Sequence, residues 1–219
     1  VMERVGLLGT GIVGRTLAAR LAELGVDVVV GARSAESSSL EAFADLDVRT
    51  GSFADAAAHA DLVVNATNGV NSTAVLESIG AEALAGKTVV DLSNELVPRE
   101  GGGFPVPTAT AESSVGRRLQ EAFPETYVVK SLNTMNCAVM ADPSIVPGDH
   151  VVFLSGDDAG AKDRVRELLA TFGWRPEQMV DLGGIETASA TEMMMSVWMA
   201  VTIARGHDAP RFNWAVNAP

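Results

Sequence analysis

Apolar residues in this chain gather into short runs separated by stretches of helical period. Val5-Gly6-Leu7-Leu8 is one such run, and Arg15 to Leu24 follows with Leu17, Leu21 and Leu24 on one face before Gly25. The first reads as a strand and the second as a helix stopped by a C-terminal glycine. Val26 to Val30 is a second apolar run, Asp47 to Thr50 a short third, Asp61 to Ala66 a fourth, Lys87 to Leu92 a fifth and Tyr127 to Leu132 a sixth. Between them Phe53 to His59, Val70 to Leu84 and Ser113 to Phe123 read as helices, the second despite Gly80, and Pro98 to Pro107 as a loop. His150 to Ser155, Ala159 to Phe172 and Gln178 to Leu182 continue as strand, helix and strand, and a last helix runs from about Glu186 to Arg205. Such alternation predicts an α/β fold with a doubly wound, mostly parallel sheet. The last helix carries Met193, Met194, Met195, Val197, Trp198, Met199 and Val201 and is apolar on most faces. It is expected to be buried, under a second lobe or at a subunit interface.

The first strand and helix are joined by Gly9-Thr10-Gly11-Ile12-Val13-Gly14. A G-x-G-x-x-G between strand and helix is a dinucleotide fingerprint. The first glycine allows the tight turn, the second lets a pyrophosphate approach the backbone, and the third lets the helix pack on the strand. The amides of the first helical turn then face the phosphates. This places a Rossmann domain over residues 1–147, followed by a small C-terminal α/β lobe over 148–219.

The end of the second strand selects the cofactor. An NAD site carries Asp or Glu there to hold the ribose 2′-hydroxyl, whereas this chain reads Val30-Gly31-Ala32-Arg33-Ser34. Gly31 in the acid's place removes the repulsion a 2′-phosphate would meet, and the Arg33 guanidinium suits a phosphate. Ser34 and Ser37 offer hydroxyl donors. NADP(H) is the cofactor this pattern favours, the alternative being that Arg33 is a solvated loop charge and the serines a flexible turn. Three later strands end in polar residues: Thr67-Asn68, Ser93-Asn94 and Asn133-Thr134. Ligands of open α/β sheets sit at the carboxyl ends of strands. Thr67, Asn68 and Asn94 are therefore expected on the cofactor and Asn133 on the substrate side, although Asn and Ser are also ordinary turn residues.

Composition narrows the function classes. With 47% apolar residues and 5% aromatics the core is built from Val, Leu, Ala and Met. A net charge of −12 and a sequence pI near 4.6 argue against nucleic-acid and anionic-membrane partners. An anionic cofactor must then be held by local donors, which adds weight to Arg33. The single cysteine, Cys137, excludes an internal disulfide and a cysteine metal cluster; it reads as a small buried hydrophobe sooner than a redox thiol. No signal-peptide pattern is visible, and Met193 to Ala204 is too short to span a bilayer, so a cytoplasmic location is expected. His59, His150 and His207 show no metal-ligand spacing, and no paired carboxylates or nucleophile set stands out. Lys130 is a candidate proton donor, with a snorkelling surface lysine as the alternative.

With these residues in hand the chain resembles the NADPH-dependent reductases of coenzyme F420 and their bacterial relatives. The resemblance covers nearly the whole length and rests on the glycine motif, on Val30 to Ser34, on Val129-Lys130-Ser131-Leu132-Asn133-Thr134-Met135, and on Asp181-Leu182-Gly183 and Phe212-Asn213. It implies NADP(H) bound through Thr10, Arg33 and Ser34 and hydride exchange with a deazaflavin across the crevice. Archaeal members carry His at the position of Asn133 and a branched aliphatic residue at that of Met135, both beside the deazaflavin, so the departures fall on the substrate side. Hydride transfer between two redox rings needs little acid–base chemistry from the protein, which fits the lack of a catalytic set. Two other readings stay open: a small carbonyl, imine, quinone or flavin as acceptor, and a non-catalytic NADP(H)-sensing module. A homodimer is expected from the apolar last helix.

Overall fold

The apolar runs close into one eight-stranded sheet. Its strands are β1 (Val5–Leu8), β2 (Val28–Ala32), β3 (Arg49–Ser52), β4 (Leu62–Asn65), β5 (Thr88–Asp91), β8 (Tyr127–Ser131), β9 (Val152–Ser155) and β10 (Met179–Asp181). Between β5 and β8 a small hairpin is formed by β6 (Leu96–Val97) and β7 (Val106–Pro107). The helices are α1 (Ile12–Glu23), α2 (Phe53–His59), α3 (Ser72–Ile79), α4 (Ala81–Leu84), α5 (Val115–Ala122), α6 (Cys137–Ala141), α7 (Ala159–Phe172) and α8 (Ala188–Ala204). The computed structural model describes residues 4–206 and 211–217.

From one edge the strands run β3-β2-β1-β4-β5-β8-β9-β10. The first six are mutually parallel; β9 joins β8 antiparallel and β10 joins β9 parallel. The chain winds outward from β1 through β2 and β3, then returns to β4 on the other side. The strand order thus reverses between β1 and β4, which opens a crevice at their carboxyl ends. Residues after 147 supply β9 and β10 to the same sheet.

Both faces of the sheet are covered, which is why its strands read as unbroken Val and Leu rather than alternating. On one face Leu7, Val30, Val64 and Val90 pack with Leu17 and Leu21 of α1 and Val165 and Leu169 of α7. On the other Leu8, Val63, Val89 and Val128 pack with Ala56 of α2, Leu76 of α3 and Leu119 of α5. Local signals fix the helix starts. Ser52 and Asp55 form a reciprocal capping box on α2, with Asp55 N to Ser52 Oγ at 3.1 Å and Ser52 N to Asp55 Oδ2 at 2.8 Å. Asp158 caps α7 by accepting from Ala161 N at 2.7 Å, and Gly173 ends that helix in the left-handed region.

Two expectations need correction and a third is narrowed. Val70 to Leu84 is not one helix: Gly80 has φ +95 and separates α3 from α4. The stretch Pro98 to Pro107 is not wholly a loop, since its last two residues pair with Leu96 and Val97. Within the chain the last helix is buried on one side only, with Met193, Val197 and Ile203 37%, 52% and 50% exposed, so of the two expected places for its other face the second lobe is excluded and the subunit interface stands as an expectation. Its buried stripe of Ala188, Thr191, Glu192, Met195, Met199 and Thr202 has helical spacing, so uniform hydrophobicity concealed an ordinary one-sided helix.

Candidate functional site

The glycine loop separates two kinds of constraint. Gly9 has φ +118, and a Cβ on it would lie 2.8 Å from Ala66 O; a Cβ on Gly14 would lie 2.1 Å from Gly9 O. Those two glycines answer to the protein's own packing. Gly11 differs, since nothing stands within 4 Å of a Cβ placed there. It is the N-cap of α1, which has neither a side-chain cap nor an acidic residue in its first turn. Among the described residues no side chain caps the first amides of α1, where the helix carries its positive dipole end. Ile12, the first residue of the helix, is 77% exposed, and Val13 is half-buried.

The space beside Gly11 is a cleft of about 370 Å³. Of the residues expected in a cofactor site it gathers Gly9, Thr10, Gly11, Arg33, Ser37, Thr67 and Asn68. Ser34, Asn94, Asn133, Met135 and Lys130 do not line it. Ser34 instead donates to Glu36 Oε2 at 2.9 Å. The end of β2 also requires a change of residue. Gly31 points away from the cleft, where a Cβ would meet Ala56 Cβ at 2.9 Å and Ser52 O at 3.0 Å. Its neighbour on the opposite face of the strand, Ala32, lines the cleft. The position where an acid would reach a ribose is thus Ala32, and it is likewise uncharged.

Beyond Ala32 lies a group of donors. Thr10 Oγ1 donates to Ser39 Oγ at 2.9 Å, and the Ser37 and Ser39 hydroxyls are 2.9 Å apart. Arg33 is exposed and, among the described residues, makes no hydrogen bond or ion pair. Ser39 was absent from the expected set. The run Ser37-Ser38-Ser39 was its only trace in the sequence, and periodicity cannot say which serine of a loop turns inward.

Of the polar strand ends, Thr67 and Asn68 line the cleft, and Asn94 and Asn133 lie outside its lining. Thr67 Oγ1 donates to Asn65 Oδ1 at 2.6 Å and lies 3.1 Å from Ser72 Oγ. Asn94 and Asn133 clasp each other: Asn94 Nδ2 donates to Asn133 O at 2.8 Å, and Asn133 Nδ2 to Asn94 Oδ1 at 3.0 Å. Asn94 is half-buried, whereas Asn133 and Met135 are only 2% and 5% exposed. Asn133 and Met135 are therefore buried and present no open wall to the cleft.

Lys130 is not the surface lysine considered from sequence. It is buried, with Nζ 2.7 Å from Asp91 Oδ2, 2.7 Å from Glu192 Oε1, and hydrogen bonded to Ser93 O. Burial opposes its charge, but the two carboxylates outweigh that and hold its pKa above the ordinary lysine value. With its three N–H groups engaged it is not placed to hand a proton to a molecule in the cleft. Asp91 and Glu192 are thus a carboxylate pair that sequence reading missed. Asp91 ends the Thr-Val-Val-Asp strand and Glu192 lies a hundred residues on, so no local spacing joins them.

The other candidates are structural. His150 donates from Nε2 to the carbonyls of Pro143 and Val146 at 3.0 and 3.1 Å, while Nδ1 accepts from Asn213 at 2.9 Å. His59 lies against Arg49 and Asp27 near the opposite ends of the strands. His207 lies outside the described residues. Among the described residues no group of His, Cys, Asp and Glu converges as a metal site, and no helix is long and apolar enough to cross a membrane. Cys137 is half-buried, 3.5 Å from Thr16 Oγ1. After α8 an aromatic ladder returns to the sheet: Phe212 stacks on Trp198, Trp214 meets Phe212 edge-on, and Trp214 Nε1 donates to Thr134 O at 3.0 Å.

Comparison with known proteins gives this site a context. Residues 4–95 match the family model described as NADP oxidoreductase, coenzyme F420-dependent. A crystal structure from Arthrobacter sp. FB24, of a protein named as a candidate F420-dependent NADP reductase, is 42% identical with a TM-score of 0.90; the match covers 99% of this chain and 100% of that one. Metalloreductase STEAP3 of Rattus norvegicus is 32% identical over 190 residues, 86% of this chain and 36% of its own. This chain spans about a third of the length of the curated relatives it matches. An imine reductase from Pseudomonas sp., 18% identical with a TM-score of 0.67 over 94% of this chain and 64% of that one, shares the fold.

Proposed function

The chain belongs to the coenzyme F420-dependent NADP oxidoreductase family, and from that premise we propose that it transfers hydride between NADP(H) and a deazaflavin ring. Bound NADPH supplies a hydride from its nicotinamide, and NADP+ accepts one. The residues of the cleft fit that cofactor. Gly11 and the first amides of α1 receive the pyrophosphate, with Ile12 and Val13 at its side and the close packing of Gly9 and Gly14 holding the loop. Arg33, Thr10, Ser37 and Ser39 receive the 2′-phosphate, and Ser34 joins them once it leaves Glu36. Thr67, Asn68 and Asn94 continue towards the nicotinamide.

The observation that carries the cofactor assignment is Arg33: a guanidinium without a partner among the described residues, beside an uncharged Ala32 and linked hydroxyls, in a cleft headed by helix amides that no side chain caps. In an acidic chain, an arginine unpartnered among the described residues at this end of the cleft supports a 2′-phosphate there. Titration of NADPH and NADH against the native protein and Arg33→Ala tests it.

Asn133 and Met135 define the acceptor side, and the protein's part there is to align two rings and exclude water. The likeness to a metalloreductase supports a second reading, in which a flavin takes the hydride. A metal ion accepts single electrons, so a ring carrier must stand between it and the nicotinamide. A location in the cytoplasm goes with either reading, given NADP(H) and the free thiol of Cys137. The exposed apolar residues of α8 support association with a second copy of the chain.

A further inference from the structure

Three strands of the sheet share one pattern towards their carboxyl ends: Leu62-Val63-Val64-Asn65, Thr88-Val89-Val90-Asp91 and Tyr127-Val128-Val129-Lys130 each place a polar residue after two valines. The register aligns them, since Asn65 pairs with Asp91 and Asp91 with Lys130 across adjacent strands. Side chains of in-register neighbours share a sheet face. The result is a buried polar row at the carboxyl edge of β4, β5 and β8, with Asn65 and Asp91 fully buried and Lys130 1% exposed.

Every member of the row is bonded. Asn65 Nδ2 donates to Asp91 Oδ1 at 2.9 Å and to Ser72 Oγ at 3.0 Å. Asp91 Oδ1 also accepts from Ser93 N at 3.1 Å and Ser93 Oγ at 2.7 Å. Lys130 joins Asp91 to Glu192 of α8, and Glu192 in turn accepts from Val115 N at 2.9 Å and Gly116 N at 3.1 Å, the first amides of α5. Those amides and their dipole end offset the second carboxylate. Stability alone is a poor reason for such a set, because apolar side chains of equal volume commonly serve as well or better. What it supplies is a fixed distance between strand ends. The members stand just before the polar strand ends: Asn65 holds Thr67, Asp91 holds Ser93 next to Asn94, and Lys130 lies three residues before Asn133.

We propose that Lys130 is a positioning residue for hydride transfer, locking the ends of β4, β5 and β8 to α8 so that Thr67, Asn94 and Asn133 keep one arrangement around the nicotinamide. The proposal rests on the NADP(H) oxidoreductase reading. Lys130 and Glu192 are buried and do not line the cleft, so they act through the strand ends. Loosening the row is then a fault of alignment at the reacting end, while the 2′-phosphate end, held by Arg33 and the serines, is spared.

The test compares the native protein with Glu192→Gln, Lys130→Met and, as a core control of similar thermal destabilisation, Leu119→Ala. NADPH affinity is read by fluorescence titration and kcat with oxidised F420 well below each variant's Tm. Expected for Glu192→Gln is NADPH affinity within about twofold of native but kcat lowered about ten- to hundredfold, the scale of a small misplacement of reacting groups. Lys130→Met is expected to behave alike; if it does not fold, Glu192→Gln carries the test. A folded Glu192→Gln with native kcat overturns the proposal, and so does a fall no greater than that of Leu119→Ala. If the native protein binds NADPH but reduces no acceptor, the oxidoreductase reading fails by itself. Positioning is then judged from amide NMR shifts in the NADPH-bound protein: movement of Thr67, Asn94 and Asn133 in Glu192→Gln supports it, and unmoved shifts overturn it.

Discussion

At the scale of single residues, the choice of cofactor turns on what stands at and after the end of β2. The place of Arg33 at the cleft was legible because it follows directly on a buried strand whose carboxyl end opens there. Gly31 was misread because strand ends are uncertain by a residue and a one-residue shift exchanges the faces; the geometry moves the decisive position to Ala32 without changing its lack of charge. Hydrogen bonds to a charged group are worth about 1.5–3 kcal/mol, so Arg33→Ala should weaken NADPH binding about ten- to hundredfold and leave NADH nearly unchanged. Equal losses for both dinucleotides in a binding titration would contradict the 2′-phosphate assignment. Far from the cleft, the Arg4 side chain hydrogen bonds to Asp61 and lowers the Asp61 pKa from 3.8 to about 2. A carboxyl depressed on folding contributes stability above its unfolded pKa and loses it as pH falls through the folded one. The Arg4–Asp61 contribution should therefore be complete above about pH 4 and fade towards pH 2. In an NMR titration Arg4→Ala should return Asp61 towards 3.8; a pKa still near 2 would show that another group holds it down.

At the scale of elements, periodicity found β1 to β5, β8 and α7 because apolar runs and caps agree there. It joined α3 to α4 because a lone glycine is tolerated within helices, and only φ shows that Gly80 leaves the helical region. It missed the pairing of β6 with β7, for two-residue strands carry too little alternation to register. The polar row of Asn65, Asp91 and Lys130 was present in the sequence as a repeated ending, but its bonding depends on register and on Glu192, which arrives from another helix. For α8, composition indicates burial under a lobe or at an interface, and within the chain Met193, Val197 and Ile203 stay open. If α8 meets a second copy, Val197→Glu at the centre of that face should shift a dimer to monomer in sedimentation while leaving NADPH affinity within about twofold, since a buried unpaired charge at an interface is strongly unfavourable. Unchanged sedimentation of a native dimer would remove α8 from the interface.

At the scale of the whole molecule, the strand order places one crevice between β1 and β4 and brings the glycine loop, Arg33 and Thr67 to it from three separate parts of the chain. That convergence was readable, because a parallel doubly wound sheet has only one switch point to offer. The continuation of the sheet through β9 and β10 was not, since an antiparallel addition at the edge has the same local pattern as a strand of a separate lobe. The same architecture serves relatives with different acceptors, so fold alone does not name the second ring. The direct measurement is to mix the purified protein anaerobically with NADPH and oxidised F420 and follow both absorbances. If the deazaflavin assignment holds, one deazaflavin is reduced for each NADPH consumed, with NADH a much poorer donor. Oxidation of NADPH by a flavin, quinone, carbonyl or imine while F420 stays oxidised would contradict it.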